Sequence, residues 1–482
     1  MTIAGRHADR LRRIVFFARN PLTIVGATLT TSSGLTLVGF WISELLRERP
    51  LHPYIGILLF LALPSAFVLG LILMPLGIVR RQRRLTSAGS LPAAYPTLSL
   101  KEPALQRLLV LVGALSVANV AILATASHQG VSYMDSTQFC GMTCHSVMAP
   151  EYTTYLNSPH SRVACTECHI GEGAGWFVRS KLSGTRQLFA VFLKTYSRPI
   201  PSPVKHLRPA RDTCERCHWP QRFVGDRLLV RTKYAEDEKN TPSTSVLVLK
   251  IGGNHGSGSV GIHGRHLSDK SRISYVATDD RRQVIPSVTY VDDDGKRVEF
   301  LSTEVKTTPE QLAKVERRDM DCIDCHNRPT HVFELPERAL DRALADARIS
   351  PDLPFVKRKG LELLKVDYTD REQARTRILQ AFVEYYKKEQ PQAYANHRAL
   401  VEGAANQVVA IYERNIFPEM KVGWGVHPNN VGHDDFLGCF RCHDDNHKSA
   451  DGRVITQDCT ACHAVLAMDE TNPKVIADLG LK

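Results

Sequence analysis

Cysteine is missing from the first 139 residues of this 482-residue chain, although twelve cysteines follow. Three long stretches of the same N-terminal part also lack charged side chains. About 20 apolar residues suffice to cross a bilayer as a helix. The first part is therefore predicted to be an α-helical membrane anchor, residues 21–127. Its three transmembrane helices are expected at about residues 21–45, 54–79 and 107–127.

A cleaved signal peptide is the alternative for the first stretch, but its apolar run is longer than a typical signal sequence needs. Basic residues flank the predicted helices unequally. Five arginines precede the first helix and six basic residues separate the second from the third, whereas the first loop carries only Arg47 and Arg49. Cytoplasmic loops are the basic ones. Residues 1–20 are therefore predicted to be cytoplasmic, and the chain after about residue 128 to be periplasmic, in a multi-pass protein of a bacterial inner membrane.

No cysteine stands alone, because each belongs to a close pair that a histidine follows directly. Five pairs have the spacing Cys-X-X-Cys-His, and the first pair has one residue more. The six units are Cys140, Cys144, His145; Cys165, Cys168, His169; Cys214, Cys217, His218; Cys322, Cys325, His326; Cys439, Cys442, His443; and Cys459, Cys462, His463. Two thiols at this spacing form thioethers with the vinyl groups of a haem, and the imidazole ligates the iron. The pattern predicts six covalently bound haem c groups.

Disulfides and zinc knuckles also use closely spaced cysteines, but neither explains a histidine after every pair. Lysine replaces none of these histidines. A terminal reductase needs an open iron site, so the absence of such a variant argues against that function. The surplus of other histidines also favours irons that carry two protein ligands.

The formal net charge of +11 would ordinarily suggest an anionic partner. Much of this charge lies beside the predicted membrane helices, where it sets orientation. Each haem also adds about two propionate carboxylates that the residue count omits. The predicted partner surface is therefore the lipid bilayer, and no nucleic acid is expected.

The outer part divides into four sections by composition. Few hydrophobic runs occur in the first section, so haem must supply much of its core. Strands are expected at 245–250, 272–276, 286–291 and 297–301, with a turn at Asp294-Gly295. The predicted fold is thus the helical anchor plus a haem-packed, mostly α or irregular cytochrome domain with a small antiparallel β-rich insertion. The sections are a trihaem region at 128–222, the β-rich insertion at 223–307, a helical region with the fourth haem at 308–425, and a dihaem region at 426–482.

The first haem units lie within a recognisable pattern. The run from Phe139 to Met148, the triplet Ser158-Pro-His160 and the segment Lys181-Leu-Ser-Gly184 resemble the NapC/NirT/NrfH quinol-dehydrogenase cytochromes. The later runs from Cys322 to His331 and from Gly438 to His447 resemble a longer branch, the inner-membrane multihaem cytochromes of metal-respiring bacteria. The NapC/NirT/NrfH proteins usually have one anchoring helix and four haems, so this chain departs from them in its three spans and in its last two haems.

The resemblance implies a function in anaerobic respiration. Such proteins oxidise membrane quinol, either menaquinol or ubiquinol, and relay the electrons to periplasmic cytochromes or reductases. In the family a lysine twelve residues beyond the second haem histidine helps to bind quinol, and Lys181 has that spacing from His169. The acidic residue that follows in the family has no counterpart here, because Gln187 and Leu188 stand in that region. Lys181 could alternatively contact lipid headgroups.

The resemblance also concerns the iron ligands. In the family a methionine shortly after the first motif can replace its histidine, so Met148 and His145 both remain candidates. The first-ranked distal candidates are His160, His331, His433 and His447, followed by His263 and His266, of which one is expected to reach a haem, and by His206. No residue is predicted to be catalytic. The alternative function is an electron-wiring subunit that lacks its own quinol site.

Overall fold

The computed structural model describes residues 12–45, 58–92, 95, 103–143, 145–171, 174–204, 208–219, 225–252, 261–268 and 270–481. The chain divides into two compact units, Met1–Cys144 and His145–Lys482. The section boundaries expected from composition stay predictions.

The first unit is helical. Two of its helices, within Pro21–Ile42 and Leu63–Ser87, are long and apolar enough to cross a membrane. A helix suits this setting because it satisfies every backbone hydrogen bond within the segment. The elements are α1 (Pro21–Leu45), a π-helical turn (Leu58–Ala62), α2 (Leu63–Ser87), α3 (Pro103–Met134) and a second π-helical turn (Phe139–Thr143).

Helix α2 differs from its prediction in position. It ends eight residues beyond the expected residue 79, so the arginines that follow the apolar run continue the helix. Residues 54–57, where the span was expected to begin, lie outside the described residues. Pro75 lies inside α2, as a membrane helix tolerates.

Small residues bring α1 and α2 together. A Cβ added to Gly26 would lie 2.8 Å from the carbonyl oxygen of Gly70, so the two backbones are in direct contact. The hydroxyl of Thr23 donates to the carbonyl of Met74 at 3.1 Å. Close approach at glycine together with an interhelical hydrogen bond is how helices associate in lipid.

Helix α3 contains the third predicted span. It is continuous over 32 residues, and Val110, Val117 and Val120 are exposed. Since some of its side chains lie outside the described residues, the crossing itself stays a prediction.

The second unit combines helices with two antiparallel sheets. Four of its helices are short and carry haem-attachment cysteines: α5 (Cys165–His169), α7 (Ala210–Cys214), α10 (Cys322–Cys325) and α15 (Cys459–Cys462). The others are α4 (His145–Leu156), α6 (Ala174–Phe192), α8 (Ile262–His266), α9 (Pro309–Lys314), α11 (Pro336–Ala345), α12 (Val356–Leu364), α13 (Arg371–Glu389), α14 (Pro391–Asn415) and α16 (Lys474–Asp478).

The expected antiparallel strands are confirmed. The strands are β1 (Arg227–Tyr234), β2 (Pro242–Leu249), β3 (Arg272–Val276), β4 (Ser287–Val291), β5 (Arg297–Ser302), β6 (Arg318–Asp319), β7 (His447–Ser449) and β8 (His463–Glu470). They form a three-stranded sheet, β1-β2-β8, and a five-stranded sheet, β6-β3-β4-β5-β7. Gly295, at a φ of +78°, makes the turn between β4 and β5, where glycine carries no steric penalty.

The β-rich part is less self-contained than predicted. Strand β8 starts at the last haem-motif histidine and pairs with β2, with His463 opposite Leu249. Strand β7 pairs with β5, with His447 opposite Ser302. The C-terminal residues therefore complete both sheets.

Helices α11 to α14 form the main hydrophobic core of the second unit. Leu340, Ile378, Phe382 and Val408 are buried there. Asp370 caps the start of α13, since its side chain accepts a hydrogen bond from the backbone N–H of Gln373. This helical bundle lies between the fourth and the fifth haem motifs in sequence.

Candidate haem-binding sites

The attachment cysteines lie on short helical turns at or near the surface. In α5 and α15 no residue is buried. None of the eleven cysteines that the structure describes forms a disulfide. Their thiols are therefore compatible with thioether formation.

The first motif has its own local geometry. Cys140 lies in the π-helical turn Phe139–Thr143. A π-helical turn is wider than an α-helical turn. This width fits the extra residue in the first motif, whose second cysteine, Cys144, lies outside the described residues.

Five motif histidines each face a second histidine from elsewhere in the chain. The distances between ring centres lie between 5.9 and 6.3 Å. The pairs are His169 with His331, His218 with His160, His326 with His263, His443 with His266, and His463 with His433.

This spacing fits an iron between the two rings. A metal–nitrogen bond is about 2.0 Å and the ring centre lies about 1.2 Å beyond the nitrogen, so two opposed ligands have centres about 6.4 Å apart. Among the described residues no group of three or more His, Cys, Asp or Glu could hold a metal ion. A pair of imidazoles suits a metal that brings its remaining ligands with it, as haem iron does with its porphyrin.

Hydrogen bonds orient these rings. Nδ1 of His263, His266 and His443 lies 2.8 to 2.9 Å from the backbone carbonyls of Ile251, Ile262 and Thr456, respectively. A carbonyl can only accept, so Nδ1 carries the proton. The other nitrogen, Nε2, is then left with a lone pair for a metal.

Burial favours the neutral form of several rings. Burial lowers the pKa of His169, His266, His326 and His331 below the usual value for histidine. Neutral imidazole is the form that ligates iron. The protein therefore holds these rings in the state that a haem would require.

His331 is held by the most elaborate set of contacts. Its Nδ1 lies 2.9 Å from the carbonyl oxygen of Glu151 and 3.3 Å from that residue's carboxylate. The carboxylate also accepts from the guanidinium of Arg328 at 3.0 Å, and Arg328 is only 5 % exposed. No sequence pattern connects Glu151 with His331, since 180 residues separate them. Sequence reasoning missed both Glu151 and Arg328 for this reason.

The short helix α8 supplies two of the histidines that face a motif histidine. His263 and His266 are three residues apart, and they face His326 and His443, respectively. Only one of them was expected to reach a haem motif. The backbone N–H of Ile262 donates to the carbonyl of Lys250 at 2.8 Å. A Cβ at Gly261 would lie 2.5 Å from that carbonyl oxygen, so glycine is needed where α8 meets the end of β2.

His447, another first-ranked ligand candidate, lies in a different setting from the five paired histidines. It is 1 % exposed, its Nδ1 lies 2.8 Å from the carboxylate of Asp444, and its Nε2 lies 2.7 Å from the carbonyl oxygen of Ile285. Both ring nitrogens thus lie within hydrogen-bonding distance of oxygen acceptors, and a neutral imidazole can donate to one of them. The ring instead ties β7 to the segment before β4.

The structure describes the remaining ligand and quinol-site candidates only in part. Met148 is half-buried on α4, three residues after His145. The side chains of His145 and Lys181, and the whole of His206, lie outside the described residues. The ligands of the first haem therefore stay as predicted from sequence.

Comparison with known proteins identifies the family. The model of the NapC/NirT cytochrome c family, N-terminal region, matches residues 102–200. The chain is 41 % identical over 465 residues to the cytochrome c-type protein ImcH of Geobacter sulfurreducens, covering 96 % of this chain and 91 % of that protein. This chain belongs to the NapC/NirT cytochrome c family. No solved structure matches it significantly.

Membership of the NapC/NirT family settles the cofactor class and the broad function. The chain is a membrane-associated cytochrome that binds haem c covalently and transfers electrons. The paired histidines fit this cofactor, as do the described cysteines, which form no disulfide. The chemistry that haem supplies is one-electron transfer.

In this NapC/NirT family member the attachment motifs contact one another in space in the order in which they occur in the chain. Helix α5 contacts α7, and α7 contacts α10. The thiol of Cys214 is hydrogen-bonded to that of Cys322. The two histidines of α8 face the fourth and the fifth motifs, and Lys250, which is hydrogen-bonded to α8, donates its backbone N–H to the carbonyl of Cys462 in the sixth motif at 2.8 Å. The second to sixth motifs thus form one continuous row.

A buried carboxylate anchors the fourth motif within this row. Asp324, between the two motif cysteines, accepts from the hydroxyl of Tyr275 at 2.6 Å and from Arg318 at 3.0 Å. It also accepts from the backbone N–H of Asp321 at 2.7 Å, which closes a capping box around α10. These bonds fasten the motif to β3 and β6.

Proposed function

We propose that this chain is a quinol-oxidising cytochrome with six haem c groups that relays electrons to periplasmic redox partners. Its anchor crosses the inner membrane three times, and the haem-bearing part lies in the periplasm. The five opposed histidine pairs carry this proposal, because they provide two protein ligands for each of five irons. Two-ligand irons relay electrons without binding substrate.

The row of motifs supports a relay with a direction. The first motif follows the anchor in sequence, and the last two motifs end the row at residues 439–463. Electrons would therefore enter near the first motif and leave near the last. A periplasmic cytochrome or reductase is the expected acceptor at that end.

Helix α6 supports quinol access. Leu182 and Phe192 are 69 % and 83 % exposed, respectively, and Leu188 and Phe189 on the same helix are exposed as well. The guanidinium of Arg179 lies 5.2 Å from the ring centre of Trp176. Exposed apolar side chains beside basic residues are typical of a helix that lies at a membrane surface. Lys181, the proposed quinol ligand, lies on this helix.

Lys181→Ala tests the quinol site. Removing a charged hydrogen-bond donor should weaken quinol binding by ~1–3 kcal/mol and slow the reduction of the membrane-embedded protein by a quinol analogue. The measurement is stopped-flow haem absorbance with menaquinol and ubiquinol analogues. Reduction by dithionite should stay unchanged in the same variant.

Lys239→Ala is the matched control, since Lys239 is an exposed lysine in the turn between β1 and β2. It should react with quinol like the wild type. If no quinol analogue reduces the wild type but a membrane partner protein does, the wiring-subunit function replaces the one proposed.

A further inference from the structure

A cavity whose lining contains no haem-motif residue is lined by four arginines. Its volume is about 320 Å³, at the small end of the range for metabolite sites. It lies where the helical bundle meets α4, which contributes Thr153 and Asn157. The four arginines are Arg342, Arg348, Arg371 and Arg414.

The hydrogen bonding of these arginines is incomplete. The Nε atoms of Arg342, Arg371 and Arg414 are buried and have no hydrogen-bond partner anywhere in the part of the chain that the structure describes. Buried donors in native proteins are nearly always paired. A guanidinium has five N–H donors, so the contacts made within the protein use only part of the donor capacity around this cavity.

The acidic side chains of the cavity do not balance its charge. Glu334 accepts from Arg342 at 2.5 Å and lies 3.9 Å from Arg414. Glu413 is engaged by Arg375, which lies outside the cavity lining, at 2.7 Å. The lining therefore has four guanidiniums against two carboxylates, one of which is already shared with a fifth arginine.

The remaining contacts hold two of the guanidiniums in place, and of these two only Arg348 gains a further carboxylate partner. Arg371 donates to the backbone carbonyl of Glu413 at 2.6 Å and lies over the ring of Phe417 at 4.6 Å. Arg348 pairs with Asp346 at 3.0 Å, at an exposed position. Burial, together with repulsion from Arg342 and Arg348, lowers the pKa of Arg414. An anion in the cavity would relieve this repulsion.

We propose that this cavity binds a small anion with at least two negative charges, of the phosphate or carboxylate type. Guanidinium groups present planar pairs of donors that match the oxygens of both. The anion would join the helical bundle to α4. Since α4 also carries Glu151, which orients His331, occupancy would stabilise the histidine pair of the second motif.

Two sources can supply such oxygens. One is a free anion such as inorganic phosphate. The other is a propionate of a haem in the same protein, because Glu334 follows His331 by three residues. We commit to the free anion, since the excess of two positive charges in the lining matches a doubly charged species.

The test uses the full haem-loaded chain in detergent. Inorganic phosphate is titrated at constant ionic strength against chloride, and the unfolding temperature is recorded. A ligand that binds only the folded state raises this temperature with concentration. Isothermal titration calorimetry with phosphate measures the affinity independently.

Arg348→Gln and Arg414→Gln should each lower phosphate affinity by about tenfold or more. Arg348 is partly exposed, so its variant should fold even if the Arg414 variant does not. Arg398→Gln is the control, because Arg398 is an exposed arginine on the same helix as Arg414 and lies outside the cavity lining. It should respond to phosphate like the wild type.

Loss of the phosphate response in both cavity variants, with retention in the control, supports the proposal. If phosphate has no effect on the wild type and Arg414→Gln shifts a haem midpoint potential, a propionate occupies the cavity and the free-anion proposal is wrong. If neither effect occurs, the cavity binds no anion and the proposal is also wrong.

Discussion

Two regions of the second unit are held together by different means. The helical bundle, α11 to α14, buries its own apolar side chains, among them Leu340, Ile378 and Phe382. The haem-attachment helices are only four or five residues long, and α5 and α15 bury none of their residues. Isolated helices of this length are unstable in water. A bundle can therefore form from its sequence alone, whereas the attachment segments depend on the covalently bound cofactor.

The largest expected effect separates the two regions directly. The full chain produced without haem attachment should lose structure around α5, α7, α10 and α15, while the bundle keeps its helices. Limited proteolysis with mass spectrometry measures this. Early cuts are expected in 160–219 and 439–463, and a protected fragment should span about 336–416. Equal digestion of both regions would mean that the bundle also needs the haems.

A substitution in the core of the bundle tests whether the bundle is stable independently of the haem-binding region. Ile378→Ala removes a fully buried side chain and should lower the free energy of unfolding by about 2–5 kcal/mol. Thermal denaturation followed by circular dichroism measures the loss. The haem content should not change, because no histidine pair lies in the bundle. A drop in haem content would show that the two regions fold as one cooperative unit.

His427 allows a test with a smaller expected effect, on the pH dependence of stability. It is buried against Phe333, and burial, with repulsion from Arg328, lowers its pKa to about 4. The unfolded chain has a histidine pKa of about 6.5 and binds the proton first, so stability is full above about pH 6.5 and falls as the pH drops towards 4. The loss amounts to at most about 3 kcal/mol. His427→Gln should flatten this part of the pH dependence, and an unchanged slope would contradict the assignment.

The smallest effect, a change at a single haem, should come from a distal histidine. His331→Ala should turn one haem from six-coordinate low-spin to high-spin, which resonance Raman spectroscopy detects. His447→Ala should leave every haem low-spin and instead lower stability by ~1–3 kcal/mol, since it removes two buried hydrogen bonds. The reverse result would restore His447 as a ligand and remove His331.

Sequence predicted the strands better than their partners. The runs at 272–276 and 297–301 alternate in a way that is typical of strands, and both are strands in the structure. Strand β8 was not expected, because it joins a sheet whose other strands lie more than 200 residues earlier. Local patterns carry no information on such a long-range pairing.

The ligand predictions have the same limit, because a local pattern does not say which distant motif a histidine will face. His160 and His331 lie near motifs in sequence, and each does face a motif histidine. However, neither faces its nearest motif, since His331 follows His326 but faces His169. His447 was ranked for its proximity to the fifth motif and its match to a family motif, and in the structure both of its ring nitrogens lie near oxygen acceptors.

The sequence by itself determined the chemistry of this protein. Cysteine pairs followed by histidine predict covalent haem binding at fixed positions, because that reaction needs only residues a few positions apart. Long uncharged stretches likewise dictate apolar helices. Only the tertiary structure decided which histidine opposes which motif, that Glu151 holds His331, and that four arginines surround one cavity. The reason is physical: each of these depends on groups that are distant in the chain and are brought together only by packing.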